Sequence, residues 1–131
     1  MVTVVGMWEP GFNAYEQVIE YRIWKQTIGA YDVDRWIMVG VPPNEGITSY
    51  ESFATLEEAL ATCENVVCFQ PNGEVEAGAP LPFDNPTLVF GNIDENLAGL
   101  SVLNLTFTTP KPVDMFACAV LPMVLDIYGS D

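Results

Sequence analysis

The chain has 131 residues, half of them apolar, with eighteen acidic side chains against four basic ones and a formal net charge of −14. That length suits a single α/β domain over residues 1–131 with one core, and no run of about eighteen apolar residues is present to span a membrane. The cations Arg22, Lys25, Arg35 and Lys111 are scattered in a field that repels polyanions. RNA is therefore expected to bind only weakly, through a basic partner, or in salt that screens the repulsion.

Residues 2–8 (VTVVGMW) are apolar and β-rich and predict a buried parallel strand, broken by Glu9, Pro10 and Gly11. Asn13 caps a helix expected over 14–28 and stopping at Gly29. At about 100° per residue, Glu16, Glu20 and Thr27 form a narrow polar strip on that helix. Tyr15, Val18, Ile19, Tyr21, Ile23, Trp24 and Ile28 fill most of the remaining circumference, with Arg22, Lys25 and Gln26 inside the apolar arc. A helix apolar nearly all round is covered on two sides, and a second subunit is the simplest second cover.

Residues 35–40 predict the next strand and 41–46 a loop. A short helix follows at 54–63, led by the Thr55 and Glu58 pair of a capping box. Strands are expected at 66–69, 87–90 and 102–108. The Pro- and Gly-rich stretch 70–86 between the first two reads as a long ordered loop or lid. The last helix, about 113–128, is apolar on every side and holds Pro122, which should kink it. Such a helix is threaded through the domain or packed across a dimer.

Strands alternating with helices predict a parallel sheet with helices on both faces. Ligands in such sheets bind beyond the carboxyl ends of the strands, so the loops starting at Glu9, Gln70, Gly91 and Thr109 are the ones to watch. Three cysteines, Cys63, Cys68 and Cys118, fit no zinc spacing and read as core thiols in a reducing, cytoplasmic setting. No histidine is present, which removes the commonest general base.

The segment Leu88-Val89-Phe90-Gly91-Asn92, followed by acids and then Ala98-Gly99-Leu100-Ser101, resembles the second motif of the SPOUT methyltransferases. Those proteins, typified by the SpoU-type RNA 2′-O-methyltransferases, have a trefoil-knotted α/β fold. Pro10 to Asn13, with a helix ending Ile28-Gly29-Ala30, is similar to the first motif of that family. Val67 to Gly73 resembles the strand and turn before motif two, and Met115 to Leu125 resembles the third-motif helix. Each motif alone is short; their order along nearly the whole chain carries the resemblance.

The resemblance implies a C-terminal helix passing through a loop, S-adenosylmethionine bound bent in the resulting knot, and a homodimer. It implies cofactor contacts from Gln70, Pro71, Phe90, Gly91, Asn92, Thr108, Thr109 and Met115. It makes Arg22 the candidate for orienting the methyl acceptor, with Asn13 beside it at the head of the helix; an interface ion pair and a helix cap are the plainer readings of these two residues. Arg22 stands farther from Asn13 than the family's spacing. Ile93 occupies the motif-two glutamate position, and Val113 and Met115 occupy the Ser and Asn positions of motif three. The implied activity is 2′-O-methylation of RNA. The alternatives are a catalytically inactive homologue that binds cofactor or protein, and an acidic viral protein that mimics nucleic acid.

Overall fold

The computed structural model describes residues 1–9, 11–40, 50–69, 75–76, 81–82, 84–90, 103–106 and 117–128; for 75–76, 103–106, 117 and 127–128 only the backbone enters the description. The chain runs β1 (Thr3–Met7), α1 (Ala14–Ala30), β2 (Arg35–Val39), β3 (Glu51–Phe53), α2 (Leu56–Leu60), β4 (Val66–Phe69), β5 (Val75–Glu76), β6 (Thr87–Phe90), β7 (Leu103–Thr106) and α3 (Ala117–Tyr128). The strands form one sheet in the order β3-β2-β1-β6-β4-β7-β5, and every pairing is parallel.

Alternation across the pleat sorts the side chains into two layers. Val4, Trp36, Met38, Val67, Phe69, Leu88 and Phe90 share one core with Tyr21 and Trp24 of α1 and Cys118, Leu121, Val124 and Leu125 of α3. Val5, Ile37, Val39, Val66, Cys68 and Val89 form the other core with Leu56, Ala59 and Leu60 of α2. Burial on both faces explains the continuous apolar runs that marked these strands in the sequence. The expected parallel α/β sheet is therefore present, with α1 and α3 on one face and α2 on the other.

Several expectations are corrected. Among the described residues the sheet has seven strands, because β3 and β5 join the five predicted ones. β3 contributes only three residues and β5 two, too few to show a period of two in the sequence. Helix α1 continues through Gly29 to Ala30 and ends at Tyr31, whose backbone is extended; Gly29 takes no left-handed φ, so it does not act as a stop. Helix α2 is shorter than predicted, but Thr55 does cap it, accepting from the Glu58 amide at 3.2 Å. Helix α3 runs on through Pro122. Its expected beginning at 113–116 lies outside the described residues, as do residues 107–112 leading into it.

On α1 the polar strip is corrected. The inward side of the helix is centred on Trp24 and carries Glu20, only 2% exposed, into the core, so Glu20 does not share a strip with the exposed Glu16. The outward side carries Tyr15, Ile19 and Ile23, exposed by 77%, 45% and 39%, together with the exposed Arg22. Helix α3 is likewise not covered all round within one chain, since Met123 is 39% exposed and Ala119 and Asp126 face solvent.

Candidate functional site at the carboxyl edge of the sheet

Because all strands run the same way, the carboxyl ends of β1, β6, β4 and β7 line one edge of the sheet. Phe90 ends β6 and Phe69 ends β4, paired in register. Their rings stack with centroids 5.3 Å apart and planes 10° apart. Trp24 of α1 meets Phe90 edge-on at 6.3 Å. Trp24 in turn lies against Gly6 of β1: a Cβ added there would come within 2.4 Å of the indole ring. Only glycine admits this approach of helix to strand.

The turn from β1 into α1 is held at three points by α1 side chains. The Asn13 side chain accepts from the Glu16 amide at 2.9 Å, and the Glu16 carboxylate accepts from the Asn13 amide at 3.1 Å, a reciprocal cap. Gln17 Nε2 donates to the Phe12 carbonyl at 3.2 Å. The Glu9 amide donates to both carboxylate oxygens of Glu20, at 3.2 and 3.3 Å. Glu20 also accepts from Trp24 Nε1 at 3.1 Å. Burial raises the Glu20 carboxyl above its ordinary value, opposed by the hydrogen bonds from Trp24 and Glu9 and helped by the nearby Glu9 charge. The Cys118 thiol of α3 faces the same carboxylate, and burial, then Glu20, push it up to about 11.

Beside this edge, Trp8, Tyr21, Trp36 and Tyr50 pack as a four-ring cluster with neighbouring centroids 5.1 to 6.5 Å apart. The Trp8 and Trp36 indole nitrogens and the Tyr21 hydroxyl in it are buried without a hydrogen-bond partner among the described residues. Lys25 Nζ lies 5.8 Å from the Tyr21 ring centroid, a distance suited to a cation–π contact.

Of the residues singled out in the sequence, the structure brings Asn13 and Phe90 to this edge. Asn13 is the helix cap, with its side-chain oxygen committed to the Glu16 amide. Phe90 is 1% exposed, so its side chain is core and only its backbone is offered to a ligand. Arg22 points outward from α1, away from the Glu20 and Trp24 layer. Gln70, Pro71, Gly91, Asn92, Thr108, Thr109 and Met115 lie outside the described residues. Sequence reasoning missed Gly6, Glu20 and Trp24. The available signal was the Glu20/Trp24 pair one helical turn apart, with a glycine inside an otherwise large-residue strand.

No family model matches this sequence, and no curated protein is similar to it in sequence. Solved structures are similar in fold. One, from work on the 2-OH methylation of C/U34 on tRNA, superposes with a TM-score of 0.63 at 10% identity, over 95% of this chain and 92% of that one. Another is the SpoU methyltransferase AviRb from Streptomyces viridochromogenes, with a TM-score of 0.60 at 12% identity, over 96% of this chain and 57% of AviRb. The chain thus has the α/β fold of these methyltransferases.

Proposed function

We propose that this chain is a divergent SPOUT protein of the SpoU type that binds S-adenosylmethionine at the carboxyl edge of β4, β6 and β7 and serves 2′-O-methylation of RNA. The observation that carries this reading is the match of fold over 95% of this chain and 92% of a structure concerned with 2-OH methylation of tRNA. It is supported by the sequence motifs, which fall at the ends of β4 and β6 and in α3.

The described part of the edge suits such a ligand. The buried, stacked Phe69 and Phe90 rings fix the strand ends whose backbone would face it, and the net charge of −14 favours a sulfonium cation. Gln70, Pro71, Phe90, Gly91, Asn92, Thr108, Thr109 and Met115 would hold the cofactor, largely through backbone groups. Bound there, it supplies an electrophilic methyl group; the acceptor is a ribose hydroxyl that loses its proton. Arg22 faces outward from α1, so it would orient that acceptor and stabilise the charge it develops across the dimer, at the partner copy's site. Asn13, at the head of α1, is the second candidate.

Substrate delivery is the weak point of the isolated chain. Arg35 is tied bidentately to Glu51, which leaves Arg22 and Lys25 as the exposed cations among the described residues. RNA is therefore brought by a basic partner. A second copy covers the outer face of α1: a two-fold axis at Ile19 sets Tyr15 level with the partner's Ile23 and Glu16 level with the partner's Arg22. This isologous match of apolar and charged positions favours an antiparallel homodimer. Charge reversal of either Glu16 or Arg22 would dissociate it, and the double swap Glu16→Arg with Arg22→Glu would restore it, read by light scattering.

The same charge balance favours a second reading, a non-catalytic homologue that binds cofactor or protein. Calorimetric titration with S-adenosylmethionine, with methyl incorporation into total RNA at low and high salt, separates the two. Heat with label supports the enzyme and heat without label the inactive homologue. Absence of heat defeats the enzyme and the cofactor-binding homologue. A basic protein captured at low salt and released at high salt would then point to the nucleic-acid mimic.

A further inference from the structure

Glu20 is an acid buried to 2% exposure with no cation beside it among the described residues, on a helix whose other acid, Glu16, is exposed. A buried carboxylate without a counter-charge costs stability unless fixed donors satisfy it. Here two donors do so, and they come from different parts of the fold: the Glu9 amide in the turn after β1 and the Trp24 indole that lies on Gly6 and meets Phe90. The Oε2 atom serves both, at 3.3 Å from the Glu9 amide and 3.1 Å from Trp24 Nε1. Of the three α1 side chains that hold the turn, Glu20 alone also reaches the aromatic stack ending β6 and β4.

We propose that Glu20 is a positioning residue, which ties the β1–α1 turn to Trp24 and through it to Phe90 at the end of β6. The proposal rests on the reading of that edge as the cofactor site. The turn carries Asn13, and the strand end carries the backbone that leads to Gly91 and Asn92. The carboxylate sets the two in one geometry through side chains, beside the backbone pairing of Gly6 in β1 with Phe90 in β6. Burying the acid is the cost of that link. Leucine at position 20 would pack in the same core and leave the Glu9 amide and the Trp24 indole unpaired.

Amide hydrogen exchange, nuclear magnetic resonance and calorimetry on the intact chain and on Glu20→Gln and Glu20→Leu test this. Glutamine keeps one acceptor oxygen and leucine none. Loss of the acceptor is expected to speed exchange of the Glu9 amide about tenfold in Glu20→Leu. S-adenosylmethionine binding is expected to weaken about fivefold in the same variant. Glu20→Gln should bring both back to within about threefold of the parent. In the unsubstituted chain, S-adenosylmethionine should shift the Trp24 indole and Glu9 amide resonances together.

An unchanged Glu9 amide in Glu20→Leu overturns the proposal. So does a Glu20→Gln variant that behaves like Glu20→Leu, or bound cofactor that moves neither resonance. Should Glu20→Leu fail to fold, Glu20→Gln and the titration of the parent decide the same question. A parent chain that binds no cofactor defeats the methyltransferase reading, and the Glu9 exchange rates then still decide whether Glu20 holds the turn.

Discussion

Two glutamates, one at the rim of the sheet and one in the core, show how one residue type is put to two uses. Glu51, at the start of the edge strand β3, is exposed and grips Arg35 of β2 with both oxygens, at 2.6 and 2.8 Å. The same guanidinium reaches the Thr62 carbonyl and hydroxyl after α2, at 3.1 and 3.0 Å. The Arg35 hydrogen bond pulls the Glu51 carboxyl below its ordinary value. Glu20 has no cation partner among the described residues, is buried, and titrates above its ordinary value. The edge cluster staples peripheral elements with charges that water screens. The Glu20 cluster links the turn at the carboxyl edge to the core with neutral donors that water does not reach. The first kind of site contributes modest stability, and the second gives up stability to fix a geometry.

That contrast is open to a graded set of perturbations. The largest effect is expected from Trp24→Ala, which empties a fully buried site and should cost about 3–5 kcal/mol in urea unfolding. Gly6→Ala drives a methyl group into the same indole and should cost about 1–3 kcal/mol. A Gly6→Ala variant as stable as the parent would show that Trp24 is free to move, and the tie through Glu20 would lose its rigid end.

Asn13→Ala should cost about 1 kcal/mol through loss of the α1 cap, whichever role the residue has in binding. Glu51→Gln should cost less than about 1 kcal/mol, because Glu51 is 49% exposed and solvent screens the pair. That small difference should shrink further in high salt.

The pH dependence gives the two glutamates opposite signs. Glu51, depressed in the folded chain, contributes stability that is present above 4.5, its ordinary value, and lost as pH falls through the lower folded value. Glu20, raised in the folded chain, contributes stability that is present below 4.5 and lost as pH rises through the higher folded value. The parent should therefore lose stability relative to Glu20→Gln as pH climbs from 4.5. Relative to Glu51→Gln it should gain stability as pH rises through the depressed folded value towards 4.5. Drifts of the same sign in the two comparisons would contradict the assignment of burial as the dominant influence on Glu20.

Much of the architecture was readable from residue pattern. The runs Val66–Phe69 and Thr87–Phe90 are strands at the boundaries expected, because burial on both faces makes such runs uniformly apolar. Asn13 and Thr55 cap α1 and α2 as their positions before helical runs suggested. Within α1, Glu20 was misplaced. Apolar residues surround the helix, so periodicity did not say which side meets the sheet. Glu20 was grouped with Glu16 and Thr27 in one polar strip because its partners, Glu9 by backbone and Trp24 by indole, make a carboxylate tolerable in the core only once the chain is folded.

What the sequence by itself determined is the set of main elements, the parallel α/β class and an acidity unsuited to gripping a polyanion, because these depend on local period, capping chemistry and summed charge. Only the tertiary structure decided that a glycine in β1 admits an indole, that this indole stands against Phe90, and that an acid on α1 is turned inward to hold the chain leaving β1. Those facts arise from contacts between separate elements, such as the Glu9 amide and Glu20, 11 positions apart. No local pattern encodes a contact whose partner is brought near only by the fold.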